Sequence, residues 1–189
     1  EIKKIGLGSE HTCAVKTDGG LYCWGLNLAG QLGDGTVGNK NTPPLSPVLT
    51  DVKEVSLGYY HTCAIKTDGG LYCWGQNNYG QLGLGDTTNR SVPTKVHVEN
   101  TTFTQIAAGY FHNIALDSEG NLWTWGNNGN GRLGLGDTTN RSVPTKVTVS
   151  NTTFTQIVCG DDYSIALDSE GNVWTCGANG YGQLGLGDL

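Results

Sequence analysis

The sequence repeats itself four times at an interval of about fifty residues, and this repeat restricts the fold more than any other feature. Successive copies lie 50, 51 and 51 residues apart, and each opens on a glycine: Gly8, Gly58, Gly109 and Gly160. A second glycine keeps the same register, as Gly25, Gly75, Gly126 and Gly177. We therefore divide the chain into four units, at residues 1–50, 51–101, 102–152 and 153–189.

Each unit carries short runs rich in Val, Ile, Thr, Tyr and Trp, separated by Gly, Asn and Asp. Such runs predict β-strands and turns, and no stretch shows the 3.6-residue apolar period of an amphipathic helix. A hairpin is predicted at Thr17-Asp18-Gly19-Gly20, because glycine tolerates the positive φ that short hairpin loops require. The sequence thus predicts an all-β fold of propeller blades, each with four antiparallel strands.

The fourth unit is shorter than the others. Unit three continues past Asp137 through a Thr-Thr-Asn-Arg-Ser-Val-Pro run to Val147, whereas unit four stops at Leu189. Its last strand is missing from the sequence, so either the chain continues or another subunit supplies the strand. Four units also make an incomplete ring, which we expect to be completed by association with copies of the chain.

Four motifs recur in register along nearly the whole chain. They read G-x-x-H-[TN]-x-A-[VIL], then D-G-G-L-Y-x-W-G or E-G-N-L-W-x-W-G, then N-x-x-G-Q-L-G, and finally a Pro-x-x-Val ending. This pattern resembles the regulator of chromosome condensation repeat. The resemblance implies a β-propeller of four-stranded blades, usually with more than four in a ring. The founding member of that family is an exchange factor for a small GTPase, but its activity depends on an inserted loop that this sequence lacks.

The charge of the chain argues against nucleic acid as a partner. The 11 Lys+Arg are outnumbered by 17 Asp+Glu, the net charge is -6, and no basic cluster is present to neutralise phosphates. No run approaches the ~20 apolar residues of a membrane-spanning helix. The sequence therefore predicts a protein partner or copies of the chain itself, with glycans as a further candidate.

Two pairs of cysteines are placed to form disulfides. Cys13 and Cys23 flank one predicted hairpin, and Cys63 and Cys73 flank the next. Pairing the strands about the turn puts the members of each pair directly opposite one another, at a Cα separation that a disulfide tolerates. The alternatives are buried reduced thiols and, less favoured, a zinc site.

A third disulfide could join Cys159 and Cys176, which lie in the fourth unit on different predicted strands. The sequence does not give their register, so a disulfide and two free thiols stay equally open. Disulfides form in oxidising compartments. They therefore predict an extracellular or cell-surface protein, with a cytoplasmic or nuclear location as the alternative.

Histidine recurs at one repeat position, as His11, His61 and His112, and Tyr163 replaces it in the fourth unit. A ring of histidines could hold a metal or face a ligand. A tyrosine at the same position favours packing between blades, because tyrosine is a poor metal ligand. We keep the three histidines as part of a candidate ligand face and assign no metal.

Other departures from the repeat are candidate sites as well. Asp161 and Asp162 stand where the other units have Ser-Glu, Tyr-Tyr or Tyr-Phe, and they join the candidate ligand face. The run from Gly129 to Gly134 matches G-x-G-x-x-G, but no helix pattern follows, so we interpret it as a false positive for nucleotide binding. Asp86 and Asn89 offer oxygen ligands for calcium, although an Asx turn is the favoured use.

Four N-x-[ST] sequons in predicted loops are glycosylation candidates: Asn89, Asn100, Asn140 and Asn151. The alternative is that these residues serve only as turn formers.

The residues favour a non-enzymatic propeller-repeat scaffold that binds or assembles through its surfaces. No Ser-His-Asp set or carboxylate pair stands apart from the repeat pattern, and no cofactor is expected. Two alternatives remain. One is an exchange or regulatory factor for a small GTPase, and the other is a glycan-associated surface protein, suggested by the Trp and Asn content.

Overall fold

The computed structural model describes residues 1–187, which form four antiparallel sheets arranged as an open ring. Sheet one contains β1 (Ile2–Leu7), β2 (His11–Lys16) and β3 (Leu21–Gly25). Sheet two contains β4 (Val52–Leu57), β5 (His61–Lys66), β6 (Leu71–Gly75) and β7 (Arg90–Lys95). Sheet three contains β8 (Phe103–Ala108), β9 (His112–Asp117), β10 (Leu122–Gly126) and β11 (Arg141–Lys146). Sheet four contains β12 (Phe154–Cys159), β13 (Tyr163–Asp168) and β14 (Val173–Gly177).

The predicted all-β propeller architecture is confirmed. Residues 1–187 form strands, turns and loops without a helix, and so without any helix long and apolar enough to cross a bilayer. Each sheet is a meander in which neighbours in sequence pair antiparallel. The predicted first hairpin is present as well: Lys16 N donates to Gly20 O at 2.9 Å, and Gly19 adopts a φ of +84°.

Sheet one departs from the predicted four strands. Where β7 and β11 form the outer strands of sheets two and three, sheet one has only two isolated bridges, Leu21 with Leu49 and Gly25 with Lys40. The segment between these bridges contains Pro43, Pro44 and Pro47. Proline has no amide hydrogen to donate to a ladder, so this run of prolines interrupts the strand that the repeat would otherwise form.

The hydrophobic core lies between the sheets. The first strand of each sheet lies against the first strand of the next, which places β1, β4, β8 and β12 around the centre of the ring. Three apolar clusters fill the spaces between sheets one and two, two and three, and three and four. We call these spaces the first, second and third interfaces. Each sheet thus buries its neighbour's apolar face, as expected when no repeat can bury its own.

Candidate partner-binding face at the mouth of the ring

Four loops, each joining the first and second strands of a sheet, lie together at one end of the ring. We call the eight residues at their tips the mouth face: Ser9, Glu10, Tyr59, Tyr60, Tyr110, Phe111, Asp161 and Asp162. Backbone hydrogen bonds join neighbouring loops, since Tyr59 N donates to Tyr110 O at 3.2 Å and Tyr110 N donates to Asp161 O at 2.9 Å. A cavity of about 310 Å³ opens between them and receives matched residues from all four units.

Aromatic rings occupy the middle of the mouth face. The ring centroid of Tyr59 lies 4.1 Å from that of Tyr60 and 4.3 Å from that of Tyr110. Phe111 lies 5.4 Å from Tyr110, and Tyr79, which is 38% exposed, lies 5.2 Å from Phe111. These separations suit favourable aromatic contacts. The five rings therefore form one half-buried surface rather than separate side chains.

Carboxylates flank the aromatic rings on both sides. Glu10 and Asp161 are exposed, and Asp162 accepts a hydrogen bond from Arg132 Nη1 at 2.5 Å. Desolvation raises the pKa of Tyr110, and Tyr59 and the charges of Asp161 and Asp162 add to the shift. A hydrogen bond with Tyr59, followed by desolvation, raises the pKa of Tyr60 to about 12. Tyr60 and Tyr110 are therefore neutral at physiological pH, and the negative charge of the face comes from its carboxylates.

The three histidines do not lie on this face, so they are removed from the candidate ligand face, and the favoured alternative of packing between blades is the one the structure has. Each is at most 3% exposed and lies inside an interface. His11 Nε2 contacts Thr62 Oγ1 at 2.9 Å, His61 Nε2 contacts Asn113 Oδ1 at 3.0 Å, and His112 Nε2 contacts Ser164 Oγ at 2.9 Å. Every histidine thus bonds the residue that follows the equivalent position in the next unit, which ties neighbouring sheets together.

The protonation of these histidines follows from their partners. Thr62 Oγ1 already donates to Gln31 O at 2.8 Å, so it accepts from an Nε2–H on His11. Within residues 1–187 the Nδ1 atoms of the three rings are buried without a hydrogen-bond partner. Burial is the main cause that lowers the pKa of His11 and of His61 to about 4, and that of His112 to about 3. The rings are therefore neutral at physiological pH.

Two cysteine pairs have the predicted arrangement. Cys13 lies opposite Cys23 and Cys63 lies opposite Cys73, and the sulfur atoms of each pair lie at disulfide distance. All four side chains are at most 2% exposed. Each pair lies on the side of its sheet that faces the next sheet, at the centre of the first and second interfaces.

Cys159 and Cys176 are free thiols, so the structure does not form the disulfide considered from the sequence. Both residues pair with Ser164, one from each side of the middle strand, so a whole strand separates them. Two strand spacings amount to about 10 Å, which exceeds the Cα separation of a disulfide. Burial raises the pKa of Cys159 to about 12 and that of Cys176 to about 11, so both thiols are protonated.

The Asp-Thr-Thr-Asn loops form turns braced by side chains. Thr88 N donates to Asp86 Oδ1 at 2.9 Å, which is an Asx turn, and Arg90 Nη2 donates to Asp86 Oδ2 at 2.6 Å. Asn89 Oδ1 accepts from Asn77 N at 2.8 Å. Asp137, Thr139, Asn140 and Arg141 repeat these contacts in sheet three. Among the described residues no group of three His, Cys, Asp or Glu side chains could hold a metal ion.

The glycosylation candidates divide into two kinds. Asn89 and Asn140 use their side-chain oxygens inside the turns just described. Asn100 and Asn151 are exposed and adopt positive φ values of 52° and 57°, which asparagine tolerates in turns. Turn chemistry thus accounts for all four residues, and glycosylation stays a prediction.

Several buried polar residues belong to the repeat motifs, but their roles were not predicted from the sequence. Asn27, Asn77 and Asn128 are fully buried, and each holds the loop after the third strand of its sheet. Thr62 and Asn113, which bond the histidines, are the [TN] position of the first motif. The motifs showed that these positions recur, but a single unit does not show that their side chains bond a neighbouring sheet or hold a loop.

An open ring of four-stranded or three-stranded meanders, with loops gathered at a central mouth, defines a β-propeller of the repeat type. The family model described as "Regulator of chromosome condensation (RCC1) repeat" matches residues 18–65, 68–116 and 119–167. A second model of the same repeat matches residues 2–31, 52–81, 103–132 and 154–183. The chain therefore belongs to the RCC1 repeat family, as the resemblance indicated.

Similar proteins carry this repeat in different settings. The chain is 38% identical over 188 residues to human "Probable E3 ubiquitin-protein ligase HERC4", covering 98% of the chain and 13% of that protein. It is 37% identical over 191 residues to "Ultraviolet-B receptor UVR8" of Arabidopsis thaliana, covering 99% and 43%. The crystal structure of Prp20p from Saccharomyces cerevisiae, described together with its binding to Gsp1p and histones, is similar with a TM-score of 0.88 at 25% identity, covering 100% and 48%. The chain spans less than half the length of each.

These matches correct one expectation. We expected a chain without enzymatic activity, and the match to a named ubiquitin ligase contradicts that expectation. The part of the ligase that matches is its RCC1-repeat region alone, because the match covers 13% of that protein.

Proposed function

We propose that this chain is the partner-binding propeller of a regulatory protein, and that its mouth face binds a lysine- or arginine-rich segment of another protein. The observation that carries the proposal is the continuous aromatic surface of the mouth face, flanked by exposed carboxylates. At its centre, the ring centroid of Tyr59 lies 4.1 Å from that of Tyr60 and 4.3 Å from that of Tyr110.

The chemistry of this face suits a cationic segment. Aromatic faces attract lysine and arginine side chains, with an interaction of about 0.5–1 kcal/mol at exposed sites. The carboxylates of Glu10 and Asp161 add a long-range attraction, which the net charge of -6 strengthens. The similar Prp20p is described as binding histones as well as Gsp1p, which supports a protein partner of this kind.

A direct test uses a fluorescent twelve-residue peptide of alternating lysine, arginine, glycine and serine, with a glutamate-rich peptide of equal length as comparison. We expect the basic peptide to bind and the acidic one not to. Combined Tyr59→Ala and Tyr110→Ala should weaken binding by about tenfold, since two cation–π contacts are lost. The matched control is Glu170→Gln, which removes an exposed charge at the opposite end of the sheets. Equal binding by the tyrosine variant and the control would count against the proposal.

Nucleotide exchange on a small GTPase is a second candidate. The founding member of the repeat family is an exchange factor, and the similarity to Prp20p covers the whole chain. A nucleotide-release assay with a panel of small GTPases tests this candidate. Acceleration of release would favour it, and the absence of acceleration across the panel would favour binding alone.

Self-association and an extracellular location stay predictions. Ile5 and Leu7 on β1, and Val158 on β12, are 70%, 71% and 56% exposed, which supports association through the end sheets. Light scattering at high concentration tests association, and a well-behaved monomer would contradict it. Mass measurement under reducing and non-reducing conditions reports whether the cysteine pairs are oxidised. Oxidised pairs would support an extracellular location, because disulfides form in oxidising compartments.

A further inference from the structure

The loops after the third strands of sheets two and three both reach the mouth face of the next sheet, but through different contacts. In sheet two, Tyr79 contacts Phe111, with the ring centroids 5.2 Å apart. The residue of sheet three that corresponds to Tyr79 is Asn130, and the contact is made two residues later. There Arg132 Nη1 donates to Asp162 Oδ1 at 2.5 Å. An ion pair thus joins the last two units where two aromatic rings join the second and third.

Both members of this ion pair depart from the repeat. Arg132 stands where the other three units have glutamine, and Asp162 stands where they have Glu, Tyr and Phe. The glutamine acts within its own unit, since Gln81 Oε1 accepts from Tyr79 N at 2.9 Å and matched bonds occur in units one and four. Arginine has no acceptor atom. Arg132 therefore cannot hold its own loop in this way, and it binds the next unit instead.

The two charges of the pair differ in their exposure. The side chain of Arg132 is 6% exposed, whereas that of Asp162 is 46% exposed. The buried Nε of Arg132 has no hydrogen-bond partner within residues 1–187, so the carboxylate of Asp162 is the group that compensates the guanidinium charge. Removing the partner of a buried charge is costly. Asp162 is therefore held toward sheet three and is not free to turn toward a partner segment.

The ion pair reduces the negative charge that the mouth face presents. Glu10 and Asp161 have no ion-pair partner in the part of the chain that the structure describes, whereas Asp162 has one. Long-range attraction of a charged partner follows the summed charge of a surface. Asp162 together with Arg132 adds no net charge to this sum. The aromatic rings of the mouth face do not depend on the pair and attract cations at short range.

We propose that Arg132 determines the specificity of the mouth face by withdrawing Asp162 from the partner. This inference rests on the proposed binding of a basic segment. A face with all its carboxylates free attracts any polybasic segment in proportion to its charge. With Asp162 paired, contacts with the rings carry a larger share of the binding. The face therefore favours a segment that places a basic side chain over the rings rather than the segment with the most positive charges.

The test restores the residue of the other units with Arg132→Gln, which should fold because glutamine occupies this position in three units. The probes are the basic peptide described above and a version in which half of its basic residues are glycine. Arg132→Gln should bind the fully basic peptide about threefold more tightly, on the scale of an exposed ion pair. The gain should be smaller for the other peptide and should disappear at high salt.

Lys146→Gln is the matched control. It makes the same change in net charge at the opposite end of sheet three, where Lys146 is exposed, and should leave binding unchanged. If the unmodified chain binds the peptide but Arg132→Gln binds it no more tightly than Lys146→Gln does, the inference is overturned and the proposed function stands. If the unmodified chain does not bind the peptide, both are overturned.

A further pair of variants separates charge from structure. Asp162→Asn leaves the charge of Arg132 without its partner and should weaken binding. Asp162→Asn combined with Arg132→Gln should return the affinity to that of the unmodified chain. A purely structural role of the pair would make both single variants bind more weakly, which would contradict the inference. If Asp162→Asn does not fold, the comparison of Arg132→Gln with Lys146→Gln decides.

Discussion

The first and second interfaces differ from the third in what fills their centres. Each of the first two combines a cysteine pair from one sheet with a fully buried tryptophan from the next. The third has Ile114 and Thr124 in place of the pair and Cys176 in place of the tryptophan. Within the described residues, the first two clusters hold nine buried apolar side chains each, and the third holds five.

Some features are common to all three interfaces, and others vary between them. All three interfaces keep a histidine bonded to the next unit and a glycine in the position that receives an aromatic ring. The apolar side chains packed between these shared residues differ from one interface to the next. A repeat protein is stabilised by intrinsic terms and by nearest-neighbour terms, so the third interface is expected to be the weakest of the three.

The largest expected loss of stability comes from truncating the side chain at the tryptophan position of the repeat, which is compared in sheets three and four. Trp125→Ala removes a fully buried ring and its hydrogen bond, and should lower the free energy of unfolding by about 4 kcal/mol. Cys176→Ala, at the matched position, should cost about 1 kcal/mol, since a cavity already lies beside this side chain. Urea denaturation of both variants checks the comparison. Equal losses would show that the third interface is as well filled as the second.

Acid should weaken all three interfaces in the same way. Burial lowers the pKa of His11 and His61 to about 4 and that of His112 to about 3, below the ordinary histidine value of 6.5. The unfolded chain therefore binds more protons, so stability is fully present above about pH 6.5 and is lost as the pH falls toward 4. Each histidine contributes on the order of 3 kcal/mol to this loss.

The pH effect can be assigned with a matched variant. His61→Gln keeps a polar side chain but cannot be protonated, so unfolding free energies measured from pH 7 to pH 4 should fall less steeply than in the unmodified chain. His97 lies outside these interfaces, and His97→Gln serves as the control with an unchanged slope. A slope in His61→Gln equal to that of the control would refute the assignment.

Reduction of the two cysteine pairs should lower the stability of the first and second interfaces and leave the third unchanged, an effect smaller than that of Trp125→Ala. A disulfide that closes a loop of about ten residues contributes about 2–3 kcal/mol. If both cysteine pairs are oxidised, a reducing agent should lower the hydrogen-exchange protection of β2, β3, β5 and β6 while β9 and β10 keep theirs. Combined Cys63→Ala and Cys73→Ala should abolish the effect in sheet two alone. A uniform response of all sheets to reduction would contradict this account.

The sequence was sufficient for the architecture because the repeat interval and the strand pattern are local signals. The hairpin at Gly19 and the opposition of Cys13 and Cys23 follow from the position of a turn, which residues close in sequence determine. The prolines of unit one removed a strand that the repeat predicted, since one local signal overrode another.

The contacts between sheets were harder to predict, because they join residues about fifty positions apart. His61 and Asn113 meet only when two sheets pack. The sequence favoured packing between blades for the histidines but did not identify their partners, and it kept them in the candidate ligand face. Cys176 was considered as a disulfide partner, although its place in the repeat is that of a tryptophan. The mouth face was indicated in part by Asp161 and Asp162, but the aromatic cluster beside them emerged only from the packing of neighbouring loops.

Hydrogen exchange of the full chain, measured strand by strand, tests the contrast between the interfaces most directly. We predict that the amides of β13 and β14 in sheet four exchange faster than those of β5 and β6 in sheet two, because the third interface has the smallest buried apolar cluster. Equal protection of the two sheets would contradict the account.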